Sequence, residues 1–398
     1  NQIVGRLAIN FKPIKDLTLT ALVAPSFDFH KTKVYSQQIR FYDYAQPARQ
    51  ISLNRPTTDL SESRSEDRVI NGQLLANYSK TIGGVHDISV LAGYEENYRI
   101  FESIGASRQG FPLTAYPYLD VGSQLLRDNS GSAFETSLRS FFGRITYSYK
   151  DKYLLQANLR NDKSSRFGAD YRDAVFPSFS AGWVLSQEKF LSNVAWLSFM
   201  KLRGSLGEVG NERIGNYPYQ ANLSPSTSLF YQGNSIVPLN GYAQVVYNIA
   251  DITWETTRTA GIGIDMAFLN NRLNVTADYF SKKTRDILLT RDIPNYVGYA
   301  DPTDNLGVVG AKGWELELGW RDNIGELNYS ISANLSDAKT KVLEISNNSA
   351  LGSTVNIVGE EFNSWYGYKS LGIFQTADEV AQSAKFNNSK PGDIKYQD

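Results

Sequence analysis

Apolar and polar residues alternate one by one along most of the chain, in segments of about nine to thirteen residues. The clearest segment has one set formed by Leu327, Tyr329, Ile331, Ala333 and Leu335, and an alternate set formed by Asn328, Ser330, Ser332 and Asn334. Successive side chains of a strand point to opposite faces, so this period indicates strands with one apolar and one polar face. The whole pattern predicts about twelve antiparallel strands.

Short links join neighbouring segments into hairpins at residues 12–16, 80–86, 149–153, 268–272 and 321–326. Long links separate them, at about 30–68, 102–136, 161–176, 211–252 and 286–311. Residues 188–198 lie between two further strands and are predicted to form a short helical turn. Short turns that alternate with long loops are typical of outer-membrane β-barrels.

A soluble β-sandwich also alternates apolar and polar residues, so the period leaves two fold classes open. Strands longer than those of ordinary sheets, rings near strand ends and the alternating link lengths favour a transmembrane barrel. Its apolar face meets lipid and its polar face surrounds the lumen. The charged residues expected to face the lumen are Arg144, Arg160, Asp265, Asp278, Glu315 and Glu317.

Composition narrows the chemistry. The formal net charge is −1, which argues against a nucleic-acid partner. The chain has no Cys and only two His, so it offers no zinc pattern, and no catalytic triad motif is present. His30 is expected just beyond a strand and His86 in a short turn, each in a structural role. We expect no enzyme activity, no cofactor and no metal site.

Aromatic residues make up 13% of the chain, and many fall in the predicted long loops. Rings on exposed loops stack on sugars, grip peptide side chains or pack against a protein partner. The candidates for ligand contact are Tyr42, Tyr44, Tyr116, Tyr118, Tyr217, Tyr219, Phe230, Tyr231, Trp365 and Tyr366.

Several blocks of the chain resemble one family of membrane transporters. They are SFFGRITYSYKDKYLLQANLRNDKSSRFG, FPSFSAGWVLSQEKFL, WLSFMKLRGSLGEVGN, WETTRTAGIGIDMAFLNNRLNVTADYFSKKTRDILL, NLGVVGAKGWELELGWRD, GYKSLGIFQTADEV and PGDIKYQD. Their order and spacing across residues 136–398 resemble the SusC/RagA family of TonB-linked outer-membrane transporters. Residues 1–135 continue the strand pattern, but their amino-acid sequence resembles the family less closely.

The resemblance implies an all-β, antiparallel transmembrane β-barrel of 22 strands, with an N-terminal plug domain inside it. It also implies a SusD-like lipoprotein partner, coupling to the TonB complex through the plug, and a peptide or oligosaccharide ligand. The chain contains no plug or signal-peptide pattern, so we expect residues 1–398 to be one segment of a longer barrel wall, without a separate domain and in contact with outer-membrane lipid.

The expected function is import of nutrient oligomers across the outer membrane of a Gram-negative bacterium, in the Bacteroidota. Two alternatives stay open: a siderophore or vitamin receptor of the TonB-dependent class, and a structural or adhesive surface barrel that transports nothing.

Overall fold

The computed structural model describes residues 1–112, 115–233, 235–346, 350–351 and 353–397. Within these ranges the chain consists mainly of strands and their links. Its α-helix, α1 (Ala377–Gln382), is short and is capped by the Thr376 hydroxyl, which accepts a hydrogen bond from the Glu379 amide. No helix in the described part of the chain is long and apolar enough to cross a membrane.

The strands of the first half are β1 (Gln2–Val4), β2 (Leu7–Ile14), β3 (Leu17–Ser36), β4 (Arg40–Tyr42), β5 (Gln50–Leu53), β6 (Asp59–Ile82), β7 (His86–Gln109), β8 (Arg127–Tyr149), β9 (Tyr153–Ser164), β10 (Asp173–Val184) and β11 (Leu197–Asn211). The strands of the second half are β12 (Leu223–Gln232), β13 (Ser235–Gln244), β14 (Glu255–Phe268), β15 (Leu273–Arg285), β16 (Leu288–Thr290), β17 (Thr303–Asn305), β18 (Gly307–Ile324), β19 (Leu327–Ile345), β20 (Ala350–Leu351), β21 (Thr354–Val355), β22 (Ser364–Trp365), β23 (Ser370–Ile373) and β24 (Ile394–Tyr396). Short 3-10 helices lie at Leu119–Val121, Ala169–Tyr171, Leu185–Gln187 and Asn295–Val297.

One large antiparallel sheet contains the long strands, in the order β1-β3-β6-β7-β8-β9-β10-β11-β14-β15-β18-β19. Strands β1 and β2 both pair with β3 and continue the same register, since Gln2 lies opposite Asp28 and Leu7 lies opposite Val23. They therefore occupy one strand position in the sheet. The described part of the sheet therefore has twelve strand positions, which confirms the predicted number. Each long strand pairs with its neighbours along the chain, so the wall is an up-and-down meander.

The hairpins end in tight turns at one edge of the sheet. Ile324 pairs with Leu327, which leaves Gly325 and Glu326 as the turn, and Gly325 has a φ of 63° that glycine adopts without strain. Lys150 and Asp151 also have positive φ in the β8–β9 turn. The predicted link 321–326 is mostly strand, since the cross-strand pairing continues up to this two-residue turn.

The strands extend further toward the opposite edge than the alternation predicts. The predicted link 30–68 shrinks to residues 37–58, and the predicted link 102–136 shrinks to residues 110–126. The sequence reasoning ended these strands where apolar residues stop, whereas the backbone pairing continues through polar residues. Several links fold into small hairpins of their own, including β4–β5, β12–β13 and β16–β17.

The predicted positions of the two histidines were wrong. His30 lies within β3 opposite Ser65, not beyond a strand, because the pairing of β3 continues past the apolar segment. His86 is the first residue of β7, where its Nδ1 lies 2.9 Å from the Tyr147 hydroxyl. The helical turn expected within 188–198 is present as a single turn, in which the amides of Leu191 and Ser192 donate to the carbonyl of Glu188, and a short 3-10 helix precedes it at Leu185–Gln187.

Candidate functional site

The six charged residues predicted to face a lumen lie on one face of the sheet. Residues directly opposite one another in an antiparallel pair share a face, as do residues two apart on one strand. Asp278 lies opposite both Glu315 and Gly263, which places it on the face of Asp265. Arg144 is linked to the same face by successive cross-strand pairs, which are Arg144–Asn158, Asn158–Ser178 and Ser178–Gly207. Arg203 is four residues before Gly207 on the same strand and lies opposite Gly263, which connects this series to Asp278.

Arg203 joins three strands on this polar face. Its Nη2 donates to Asp278 Oδ2 at 2.6 Å, and its Nε donates to Asp265 Oδ2 at 3.2 Å. Gly263 lies directly between Arg203 and Asp278 in the register, and its missing side chain leaves the space that the guanidinium occupies. Sequence reasoning found both aspartates but missed Arg203, although its alternation with Leu202 was a usable signal.

A second charged network on the same face surrounds Arg160. Its Nε donates to Asp162 at 2.7 Å, and its Nη2 donates to the buried Ser140 hydroxyl at 2.7 Å. Its Nη2 also lies 3.3 Å from Glu95 Oε2 on β7. Asn71 and Gln73 on β6 donate to the other oxygen of Glu95. The network therefore runs from β6 to β9 and presents both signs of charge.

The opposite face carries large exposed apolar side chains, with Ile331 on β19 exposed to 65%. A row of rings crosses this face near the tight turns, where His86, Tyr149, Tyr153 and Trp183 follow one another in register on β7 to β10. Tyr153 stacks with Trp183 at a centroid distance of 6.3 Å. The rings collect at a strand end, which confirms the predicted position and is typical of an interfacial girdle.

Glu188 anchors that row of rings from the adjoining turn. Tyr153 Oη donates to its Oε1 at 2.7 Å, Trp183 Nε1 donates to the same oxygen at 3.0 Å, and Lys152 Nζ lies 3.2 Å from Oε2. The hydroxyl of Tyr153, followed by the indole and the ammonium group, holds the pKa of Glu188 below its ordinary value.

The far edge of the polar face is covered by a small apolar core that ties two links to the wall. Its members are Phe167, Phe176, Ile214, Ile249, Ile252 and Trp254. The Trp254 indole donates to the carbonyl of Arg172 at 2.9 Å, which joins the link after β13 to the link after β9. Beside this core, burial raises the pKa of Glu212 above its ordinary value.

The ring candidates for ligand contact divide into packed and exposed groups. Tyr217 and Tyr219 meet edge to face at 6.3 Å, and Tyr219 packs against the apolar core. The ring centroid of Tyr118 lies 4.6 Å from Lys33 Nζ. The candidates that are exposed in the links or small hairpins are Tyr42, Tyr44, Tyr116, Tyr118, Phe230, Tyr231, Trp365 and Tyr366. The structure thus brings two of the ten rings together and leaves Tyr231 and Trp365 free for contact, at 80% and 86% exposure.

Comparison with known proteins identifies relatives of this wall. TonB-dependent receptor P39 of Formosa agariphila is 29% identical over 361 residues, which cover 90% of this chain and 34% of that protein. TonB-dependent receptor SusC of Bacteroides thetaiotaomicron is 27% identical over 324 residues, which cover 75% of this chain and 31% of SusC. The structure of the RagAB peptide transporter aligns with a TM-score of 0.84 and 25% identity, over 94% of this chain and 40% of that chain.

The chain therefore spans about a third of the length of these two curated relatives. A model of the family described as TonB dependent receptor-like, beta-barrel, matches residues 6–393. Together with the meander of long antiparallel strands, this match shows that the chain belongs to the TonB-dependent receptor-like β-barrel family, in which it is similar to SusC and RagA.

Proposed function

We propose that this chain forms part of the wall of a TonB-dependent importer that moves nutrient oligomers across a bacterial outer membrane. The observation that carries the proposal is that the large sheet of this family member has one polar, charged face and one apolar face. One face bears the cross-strand charge networks of Arg203 and Arg160, and the other bears exposed apolar side chains. A wall of this kind separates lipid from a water-filled lumen.

Peptides or oligosaccharides are the proposed cargo. RagAB is described as a peptide transporter, and 94% of this chain aligns with it. The polar face carries carboxylates, guanidinium groups and amides such as Asn71 and Gln73. These groups match the hydrogen-bonding needs of peptide backbones and sugar hydroxyls.

The links at the edge opposite the tight turns form the proposed extracellular rim. Residues 37–58, 110–126 and 212–254 lie there, and a SusD-like lipoprotein is the proposed lid over them. TonB acts in the proposed mechanism through a plug in the barrel interior, against the polar face. In this proposal residues 1–398 form one membrane-wall unit in the outer membrane of a member of the Bacteroidota.

Gene deletion tests the proposal in the source bacterium. We expect the deletion strain to lose growth on peptide mixtures or on oligosaccharides as the nutrient, and to keep growth on free amino acids and monosaccharides. We also expect a surface lipoprotein to co-purify with the protein from solubilised membranes. Loss of growth on ferric siderophores instead would identify a siderophore receptor, and unchanged uptake of every nutrient would identify a structural or adhesive barrel.

Point variants test the proposed ligand contacts. Tyr231 and Leu229 lie two residues apart on β12, so they share a face, and both are exposed. Tyr231→Ala should weaken ligand binding, because it removes a ring that can stack on the cargo. Leu229→Ala removes an apolar side chain without a ring and should leave binding unchanged. Equal binding by the parent and by Tyr231→Ala would contradict the assignment of Tyr231.

A further inference from the structure

Four lysines surround a glycine on the outward, apolar face of β15, β18 and β19. Lys312 lies directly opposite Lys339, while Lys283 and Lys341 lie opposite Gly310 from its two sides. Neighbouring strands are about 5 Å apart, so the four Cα atoms fall within a patch about 10 Å wide. Gly310 presents no side chain, so a shallow depression lies between Lys283 and Lys341, and Leu343 borders it, with its Cδ1 3.3 Å from the position of a Cβ atom at Gly310. We call these four residues the lysine notch.

The lysine notch lies at the upper border of the apolar band. Trp314 lies opposite Tyr279 and is the last large ring of β18 before Lys312 on this face. On β19 the exposed apolar residues Ile331 and Leu335 precede the lysines. Below the border the wall therefore suits acyl chains, and directly above it the wall is cationic.

The four ammonium groups have no anionic partner in the part of the chain that the structure describes. None of them forms an ion pair within 4.0 Å there, and all four residues are exposed. Of the nearby carboxylates, Glu208 pairs with Arg285 at 3.7 Å, and Asp337 lies opposite Trp314 without an ion pair to a lysine among the described residues. Like charges placed directly opposite destabilise a strand pair, so Lys312 and Lys339 oppose each other at a cost that a bound anion would remove.

Some charges on the same face of other strands are paired. Arg139 Nη2 lies 3.0 Å from Glu96, and Lys163 Nζ lies 2.8 Å from Asp173. Other cations on the described part of this face also lack an ion pair, since Arg258 lies opposite Lys283 on β14 and Lys31 lies opposite Arg64 on β3 and β6. The lysine notch is where four such lysines lie together.

We propose that the lysine notch binds the phosphate of an anionic lipid headgroup in the outer leaflet of the membrane. An acyl chain would run down the apolar band below Trp314, while the phosphate would meet the lysines above it. An exposed strip of lysines holds a small free anion weakly, because solvent screens the charges. A lipid is retained by both its chains and its headgroup. This inference needs the apolar face to meet lipid and is independent of the transported cargo.

Lipid binding to the purified full-length protein tests the proposal. The probes are bisphosphorylated lipid A and dephosphorylated lipid A, each added in detergent micelles and counted on the protein by native mass spectrometry. We expect the double variant Lys312→Gln/Lys339→Gln to bind bisphosphorylated lipid A about thirtyfold more weakly. The matched control, Lys163→Gln, removes a paired cation at the same level and should bind like the parent. Dephosphorylated lipid A should bind weakly to all three proteins.

Several outcomes would overturn the proposal. They are unchanged binding by the double variant, an equal loss in Lys163→Gln, and equal binding of dephosphorylated lipid A to the parent. Displacement of the lipid by millimolar inorganic phosphate would instead assign the lysine notch to the free ion. If the double variant fails to fold, Lys312→Arg/Lys339→Arg keeps both charges and should retain lipid binding, and its loss of binding would also contradict the proposal.

Discussion

The ring of Phe142 lies across Gly93, its direct cross-strand partner on the polar face. A Cβ atom at Gly93 would come within 2.3 Å of Phe142 Cζ and 3.0 Å of Leu75 Cδ2. The guanidinium carbon of Arg160 also lies over this ring, at 5.3 Å from its centroid. The position of the ring beneath Arg160 therefore depends on an absent side chain two strands away, on β7.

Gly93→Ala should lower the free energy of unfolding by about 1–3 kcal/mol, because the added methyl group displaces the ring. The measurement is denaturant unfolding of the protein in lipid vesicles. Gly72→Ala is the matched control, since a Cβ atom at Gly72 would meet nothing within 4 Å. Equal stability of the two variants would show that the ring moves aside without cost.

Ile331→Arg should make folding into a bilayer less favourable by about 2–4 kcal/mol, if residue 331 lies near the membrane midplane. Ile331 is exposed on the apolar face, opposite Trp320. Ser332 is the next residue, faces the polar side and lies opposite Gly319, so Ser332→Arg should be tolerated. The two variants are compared by refolding into vesicles. Equal tolerance would mean that the faces are assigned wrongly.

Arg203→Met should lower the free energy of unfolding by about 1–3 kcal/mol, because it leaves the carboxylates of Asp265 and Asp278 without their shared donor. Lys201 lies two residues away on the same face, opposite Asp265, and forms no ion pair with the described residues. Lys201→Met is therefore the control and should have a smaller effect. An equal loss in both variants would mean that stability follows the number of charges and not the bonds of Arg203.

Glu188→Gln should make the protein less stable near neutral pH, with a difference that disappears in acid. The pKa of Glu188 is lower in the folded state than in the unfolded state, so its contribution is present above the unfolded pKa and is lost as the pH falls through the folded pKa. The melting temperatures of parent and variant, recorded from neutral pH to below the ordinary glutamate value of 4.5, should converge in acid.

Glu326 provides the control for this pH series. It lies in another tight turn and accepts no side-chain hydrogen bond from the described residues. Because no side-chain hydrogen bond is lost, Glu326→Gln should melt close to the parent near neutral pH. A gap for Glu188→Gln that stays constant over the pH series would contradict the role of the ionised carboxylate.

The sequence alone predicted the β-barrel class, the number of strand positions and the common face of the six charged residues. Each of these depends on the two-residue period of a strand, which can be read locally from the chain. The strand ends were predicted poorly at the edge opposite the tight turns. Beyond the apolar band both faces are polar, so the period fades although the backbone pairing of β6 and β7 continues to Asp59 and Gln109.

Only the tertiary structure decided which polar residues meet. The bonds of Arg203 to Asp265 and Asp278 join residues 62 and 75 positions apart in the chain. The packing of Tyr219 against the apolar core likewise separated it from the exposed Tyr231. Local alternation determines the face on which a side chain lies, whereas its partners depend on strand register and on how the links fold back, and no local pattern encodes these.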